Sequence, residues 1–132
     1  MPPFTQHHGL SPAGRTLIHE MNRTGVVMDL AQVSYKTMLD ALNVTIAPVM
    51  FSHSSAYTLC PHECNVPDDM LHLVRQNEGV VVASYHPAYT RCDDPPQVSI
   101  DGVVIYIQHI GQLVGYRHVG LRFDFGSILA EF

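Results

Sequence analysis

His53 closes the short apolar run Val49-Met50-Phe51-Ser52 and stands before Ser54-Ser55. An imidazole at the mouth of a buried strand can coordinate a metal ion or move a proton near neutral pH. Asp29 and Gln32 follow the apolar run Val26-Val27-Met28, and Asp124 follows Val119-Gly120-Leu121-Arg122-Phe123. Each has a plainer alternative. His53 could simply be hydrogen-bonded at a loop entrance, and Asp124 could be a helix cap or turn residue. His7 and His8 read as solvated loop residues, while His62, His72, His86, His109 and His118 are scattered without metal-ligand spacing. The three cysteines make no zinc ribbon: Cys60 and Cys64 have a ligand-like gap, but no second close pair follows, and Cys92 stands apart. On spacing alone they are buried or loop thiols. The chain has no glycine-rich phosphate loop, nucleophile elbow or His-Glu-x-x-His motif, and Cys64 has no evident partner base for a catalytic thiol.

Those side chains must be held by something, and the pattern of apolar residues says what. Ser11 and Pro12 open a helix with Leu17, Ile18 and Met21 as its apolar stripe, and Gly25 stops it. A first strand is expected over residues 26–30. Ser34 caps a second helix that turns Met38, Leu39 and Leu42 inward, and a second strand covers 49–53. A loop over 54–65 leads to a helix with Asp68 and Asp69 in its first turn, where the helix dipole favours acids, and Met70, Leu71, Leu73 and Val74 on its buried face. Strands are expected over 80–84 and 119–123. The stretch 98–114 suits either period, since Val103, Val104, Ile107, Ile110 and Val114 fit a helix while Val103–Ile107 also suits a strand; it is read as a helix. Helices alternating with short, wholly apolar strands imply an α/β protein, with a parallel sheet covered by helices. Functional groups in such folds gather at the carboxyl ends of the strands, which is where Asp29, Gln32, His53 and Asp124 stand.

Composition narrows the function classes. A chain of 132 residues, 46% apolar, supports one domain with a real core. With 7 Lys+Arg and a formal charge of -5, it lacks the clustered basic residues of a nucleic-acid footprint. No apolar run reaches the roughly 18 residues of a membrane span. No signal peptide is visible in the opening residues. Small molecules or proteins are the expected partners.

Longer strings are more specific than the periodicity. Gly9-Leu10-Ser11-Pro12-Ala13-Gly14-Arg15, Glu20-Met21-Asn22-Arg23 and Met28-Asp29-Leu30-Ala31-Gln32-Val33-Ser34 resemble segments of the membrane (renal) dipeptidase family. So do Ala47-Pro48-Val49-Met50-Phe51-Ser52-His53-Ser54-Ser55-Ala56-Tyr57, Asn65-Val66-Pro67-Asp68-Asp69, and His118-Val119-Gly120-Leu121 with Asp124-Phe125. The resemblance runs in order over essentially the whole chain. It implies a (β/α)8 barrel, of which residues 1–132 would form a single partial domain of about four βα units: the C-terminal half. It also implies a dipeptide hydrolase using two zinc ions, in which a metal-bound hydroxide attacks the peptide carbonyl.

Carried over residue by residue, the resemblance makes His53 a zinc ligand and Asp124 the catalytic, substrate-binding aspartate near the leaving amine. It pairs Cys60 with Cys92 in a disulfide. Two positions depart from it. Gln32 stands where the family has a second zinc-ligand histidine, and a neutral amide is a poor zinc ligand beside imidazole. Cys64 stands where the family has an arginine that clamps the substrate carboxylate, and a thiol offers no bidentate cationic fork. The final motif reads Asp124-Phe125-Gly126-Ser127 rather than Asp-Phe-Asp-Gly. The family's His-x-Asp motif and bridging glutamate fall upstream of the matched region. The expectation is therefore a truncated, inactive copy of a zinc metallodipeptidase with doubtful zinc binding, or alternatively a non-catalytic half-barrel serving binding or assembly. Open sheet edges would favour self-association. Family members are often secreted or membrane-anchored, but no signal or anchor is seen here, so location stays open.

Overall fold

The computed structural model describes residues 8–85, 92 and 99–122. Helix α1 (Pro12–Thr24) starts where its sequence says: the Ser11 hydroxyl accepts the Gly14 N–H at 3.1 Å and Pro12 takes the first helical position. It stops at Gly25, whose φ of 73° is the left-handed cap that glycine adopts without a Cβ clash. Its inward face is narrower than expected. Ile18 is buried, but Leu17 lies on the outer side and is 59% exposed.

Strand β1 (Met28–Asp29) is shorter than the predicted 26–30. Among the described residues it is an edge strand bordered by β2 on one side, and Val26 and Val27 are both exposed. Leu30, just past it, is buried and donates its N–H to Met50 O at 2.8 Å. Helix α2 (Tyr35–Val44) is capped by Ser34 and buries Met38, Asp40 and Ala41. Asp40 is a buried carboxylate with three partners: the Leu10 N–H at 3.0 Å, the Lys36 ammonium, and the Arg15 guanidinium at 3.8 Å. The Lys36 hydrogen bond, then the Leu10 N–H, hold its carboxyl below the usual range. The chain approaches that carboxylate so closely at Gly9 that a Cβ there would lie 2.2 Å from Asp40 Oδ2.

Strand β2 (Val49–Ser54), helix α3 (Asp68–Gln76), strand β3 (Val80–Ser84), helix α4 (Ile100–Val114), a 3₁₀ turn (Tyr116–His118) and strand β4 (Val119–Arg122) follow. The ambiguous stretch is a helix: Val103, Tyr106, Ile110 and Val114 are buried at intervals of three and four, while Ile105 stays exposed. The four strands lie in the order β1-β2-β3-β4, every neighbouring pair parallel, with Met28 opposite Val49, Met50 opposite Val80, and Val81 opposite Val119. Each connection crosses through a helix, as parallel pairing requires. The core between sheet and helices is built from Met38, Phe51, Met70, Leu71, Val81 and Ile110. Two polar side chains help to fix the layers. Asn77 accepts the Val49 N–H at 2.8 Å and donates to Ala47 O at 3.0 Å, and buried His118 contacts Gly79 O through Nδ1 at 2.8 Å. Among the described residues no helix is long and apolar enough to cross a membrane.

Candidate functional site

The loops after β1 and β2 emerge at the same end of the sheet, the carboxyl end. Between them lies a cleft of about 950 Å³, lined by Gln32, Tyr35, Tyr57, His62, Cys64 and Pro67 among others. Gln32 has a φ of 62°, a left-handed conformation uncommon for a residue other than glycine. The Cys64 N–H donates to His62 Nδ1 at 3.1 Å, and Cys64 forms no disulfide among the described residues. Gln32 and Cys64 thus line one cleft. Tyr35 ties α2 to the start of α3 by donating its hydroxyl to Asp69 at 2.5 Å.

The wall carrying Cys64 is held by a residue that spacing did not single out. Asn65 is buried; its Oδ1 accepts the Ser55 N–H and its Nδ2 donates to Cys60 O, both at 2.9 Å. The backbone closes the same loop, with Tyr57 N–H on Val66 O at 3.0 Å and Val66 N–H on Ser55 O at 2.8 Å. A disulfide joins buried Cys60 to Cys92, their Cα atoms 5.4 Å apart.

His53 is not among the residues lining the cleft. It is half-buried at the end of β2, and its Nδ1 lies 2.7 Å from Ser52 Oγ. Ser52 Oγ also contacts Asp29 Oδ2 at 2.5 Å, while Asp29 Oδ1 accepts the N–H groups of Ala31 at 3.0 Å and Ser52 at 3.1 Å. Partial burial pushes the Asp29 carboxyl up, but the Ser52 hydroxyl, the two N–H donors and the nearby His53 together outweigh it and hold the group below its ordinary value. Just beyond, the hydroxyls of Ser54, Ser55 and Ser84 are buried at the ends of β2 and β3 without a hydrogen-bond partner among the described residues. Asp124 lies outside the described residues.

Do these residues fit a pair of zinc ions? Among the described residues no three His, Cys, Asp or Glu side chains lie close enough together to hold a metal. His53 contributes one imidazole, Gln32 an amide, and both oxygens of Asp29 are already engaged by N–H and O–H donors. This set does not make a dinuclear zinc site.

The family model described as membrane dipeptidase, peptidase family M19, matches residues 2–131. The chain belongs to that family. It is 51% identical to the dipeptidase aclJ of Aspergillus oryzae over 96% of this chain and 30% of that protein. It is 50% identical to the dipeptidase tcpJ of Claviceps purpurea over 92% of this chain and 28% of that one. Among solved structures, a metallopeptidase from Rhodobacter sphaeroides liganded with a phosphinate mimic of the dipeptide L-Ala-D-Ala superposes with a TM-score of 0.84 at 29% identity. That match covers 89% of this chain and 34% of that one. The chain spans about 30% of the length of the curated relatives it matches. Its four parallel strands and their helices correspond to part of a TIM-barrel dipeptidase.

Proposed function

We propose that this chain carries part of a metallodipeptidase site from which two decisive side chains have been replaced, and that on its own it does not hydrolyse dipeptides. One observation carries the reading: Gln32 and Cys64 line the same cleft, at the positions where the family pattern calls for a metal-binding histidine and a carboxylate-binding arginine. An amide for an imidazole weakens zinc binding, and a thiol for a guanidinium removes the cationic fork that would seat a dipeptide's carboxylate. Dipeptides remain the substrate class to test, supported by the dipeptidase relatives and by the dipeptide mimic held by the Rhodobacter metallopeptidase. In this reading zinc is the family's metal, His53 is the surviving ligand and Asp124 the substrate-side aspartate. The Cys60–Cys92 bridge fastens the cleft's outer loop.

The experiment is to restore what is missing. Gln32→His should raise zinc retained after dialysis on the order of tenfold over the parent chain, and Cys64→Arg should leave zinc retention unchanged while increasing affinity for a dipeptide phosphinate. A Gln32→His chain that binds no more zinc than the parent would show that residues 32 and 53 do not address one metal.

A second reading, a half-barrel that serves assembly, is favoured by the two outer strands. Among the described residues β1 and β4 are the outer strands of the sheet, and Val26, Val27 and Leu121 beside or in them are exposed. Unpaired edges with apolar flanks recruit a further strand. Light scattering should then give a mass above one chain at high concentration; a monodisperse monomer counts against assembly.

A further inference from the structure

We propose that Ser52 is a positioning residue that, backed by Asp29, locks His53 in the tautomer protonated on Nδ1 and so leaves Nε2 as the ring's available electron pair. The assignment follows from counting protons. Ser52 Oγ lies 2.5 Å from Asp29 Oδ2 and 2.7 Å from His53 Nδ1. An ionised carboxylate only accepts hydrogen bonds, and a hydroxyl has a single proton to give. That proton goes to Asp29, so Ser52 meets His53 with a lone pair. The short contact to Nδ1 is then a hydrogen bond only if Nδ1 bears the proton. A neutral imidazole protonated there has its lone pair on Nε2.

The anchor at the far end of this relay is fixed from two directions. Asp29 Oδ1 takes the N–H of Ala31, in the loop that carries Gln32, and the N–H of Ser52 itself. Ser52 and His53 are consecutive in a strand, where side chains ordinarily alternate between faces. They can meet because the register of β2 against β3 shifts between Phe51 and Ser54, and such an irregularity re-aims the side chains around it. His53 Nε2 makes no hydrogen bond among the described residues. A histidine side chain in water favours the opposite tautomer, with the proton on Nε2, so the protein must supply the bias. The consequence is chemical: an incoming electrophile, whether a proton or a metal ion, meets Nε2, while Nδ1 is closed to it. Metal-binding histidines are commonly oriented in this way by a partner on the other ring nitrogen. The inference does not depend on whether this chain hydrolyses anything.

Long-range 1H–15N correlation spectra of the full chain, labelled at histidine and kept in chelator at about pH 8 where a histidine is largely neutral, read the tautomer directly. His53 should show a pyrrole-type Nδ1 and a pyridine-type Nε2. Ser52→Ala should move both shifts toward the aqueous pattern with the proton on Nε2, and Ser52→Thr, which keeps the hydroxyl, should restore the parent pattern. A parent spectrum with the proton on Nε2 overturns the proposal. So does a folded Ser52→Ala chain whose His53 shifts are unmoved. The parent spectrum decides by itself if the alanine variant does not fold.

Discussion

Replacing Asn65 by alanine should destabilise the protein by about 2 to 5 kcal/mol. The amide satisfies two buried backbone groups at once, the Ser55 N–H and the Cys60 carbonyl, each at 2.9 Å. Ser55 and Cys60 are both fully buried, so water cannot take the amide's place without opening the loop. Each orphaned group then costs roughly 1–3 kcal/mol, and the loss is the sum of two such terms less whatever relaxation recovers. For a chain of 132 residues that corresponds to a fall in Tm of roughly 10 °C. The matched control is Asn43→Ala, an exposed position on α2, where the change should stay within about 0.5 kcal/mol. Urea and thermal unfolding followed by circular dichroism measure both. An Asn65→Ala chain within about 0.5 kcal/mol of the parent would refute the reasoning, because it would mean that the wall of the cleft does not depend on this side chain.

Reducing the Cys60–Cys92 bridge, which joins residues 32 apart in sequence, should lower stability by up to about 3 to 4 kcal/mol on chain-entropy grounds; a urea midpoint unchanged by reductant would contradict this. Asp40→Asn should destabilise the protein at pH 7. The carboxyl is held below its ordinary value by Lys36 and the Leu10 N–H, so its contribution is complete above the unfolded-state value of about 4 and disappears as pH falls through the lower folded-state value. Parent and variant stabilities should therefore converge at acid pH, and a gap independent of pH would show that the charge is not what matters.

Much of the fold is legible in the sequence because the determinants are local. Ser11, Pro12 and Gly25 bracket α1 through backbone groups within a turn of themselves, and the wholly apolar Val49-Met50-Phe51 reads as a strand covered on both faces. The sequence is silent where neighbours in space decide. Val26 and Val27 look like strand residues, yet among the described residues this strand is an edge and only Met28–Asp29 pairs. Leu17 fits the apolar stripe but lies on its outer margin and is mostly exposed. Within the site, His53 stands out because it ends an apolar run. Ser52 does not, because its role needs a strand irregularity and a carboxylate 23 residues away. Asn65 likewise acts on Ser55 ten residues back. The juxtaposition of Gln32 and Cys64 is a property of two loops meeting, and no spacing rule encodes it.

Metal content after exhaustive dialysis, measured by elemental analysis alongside dipeptide hydrolysis on the same sample, bears most directly on the whole account. The chain should retain well under one zinc equivalent and release no amino acids. Two equivalents together with turnover would show that Gln32 and Cys64 do not disable the site.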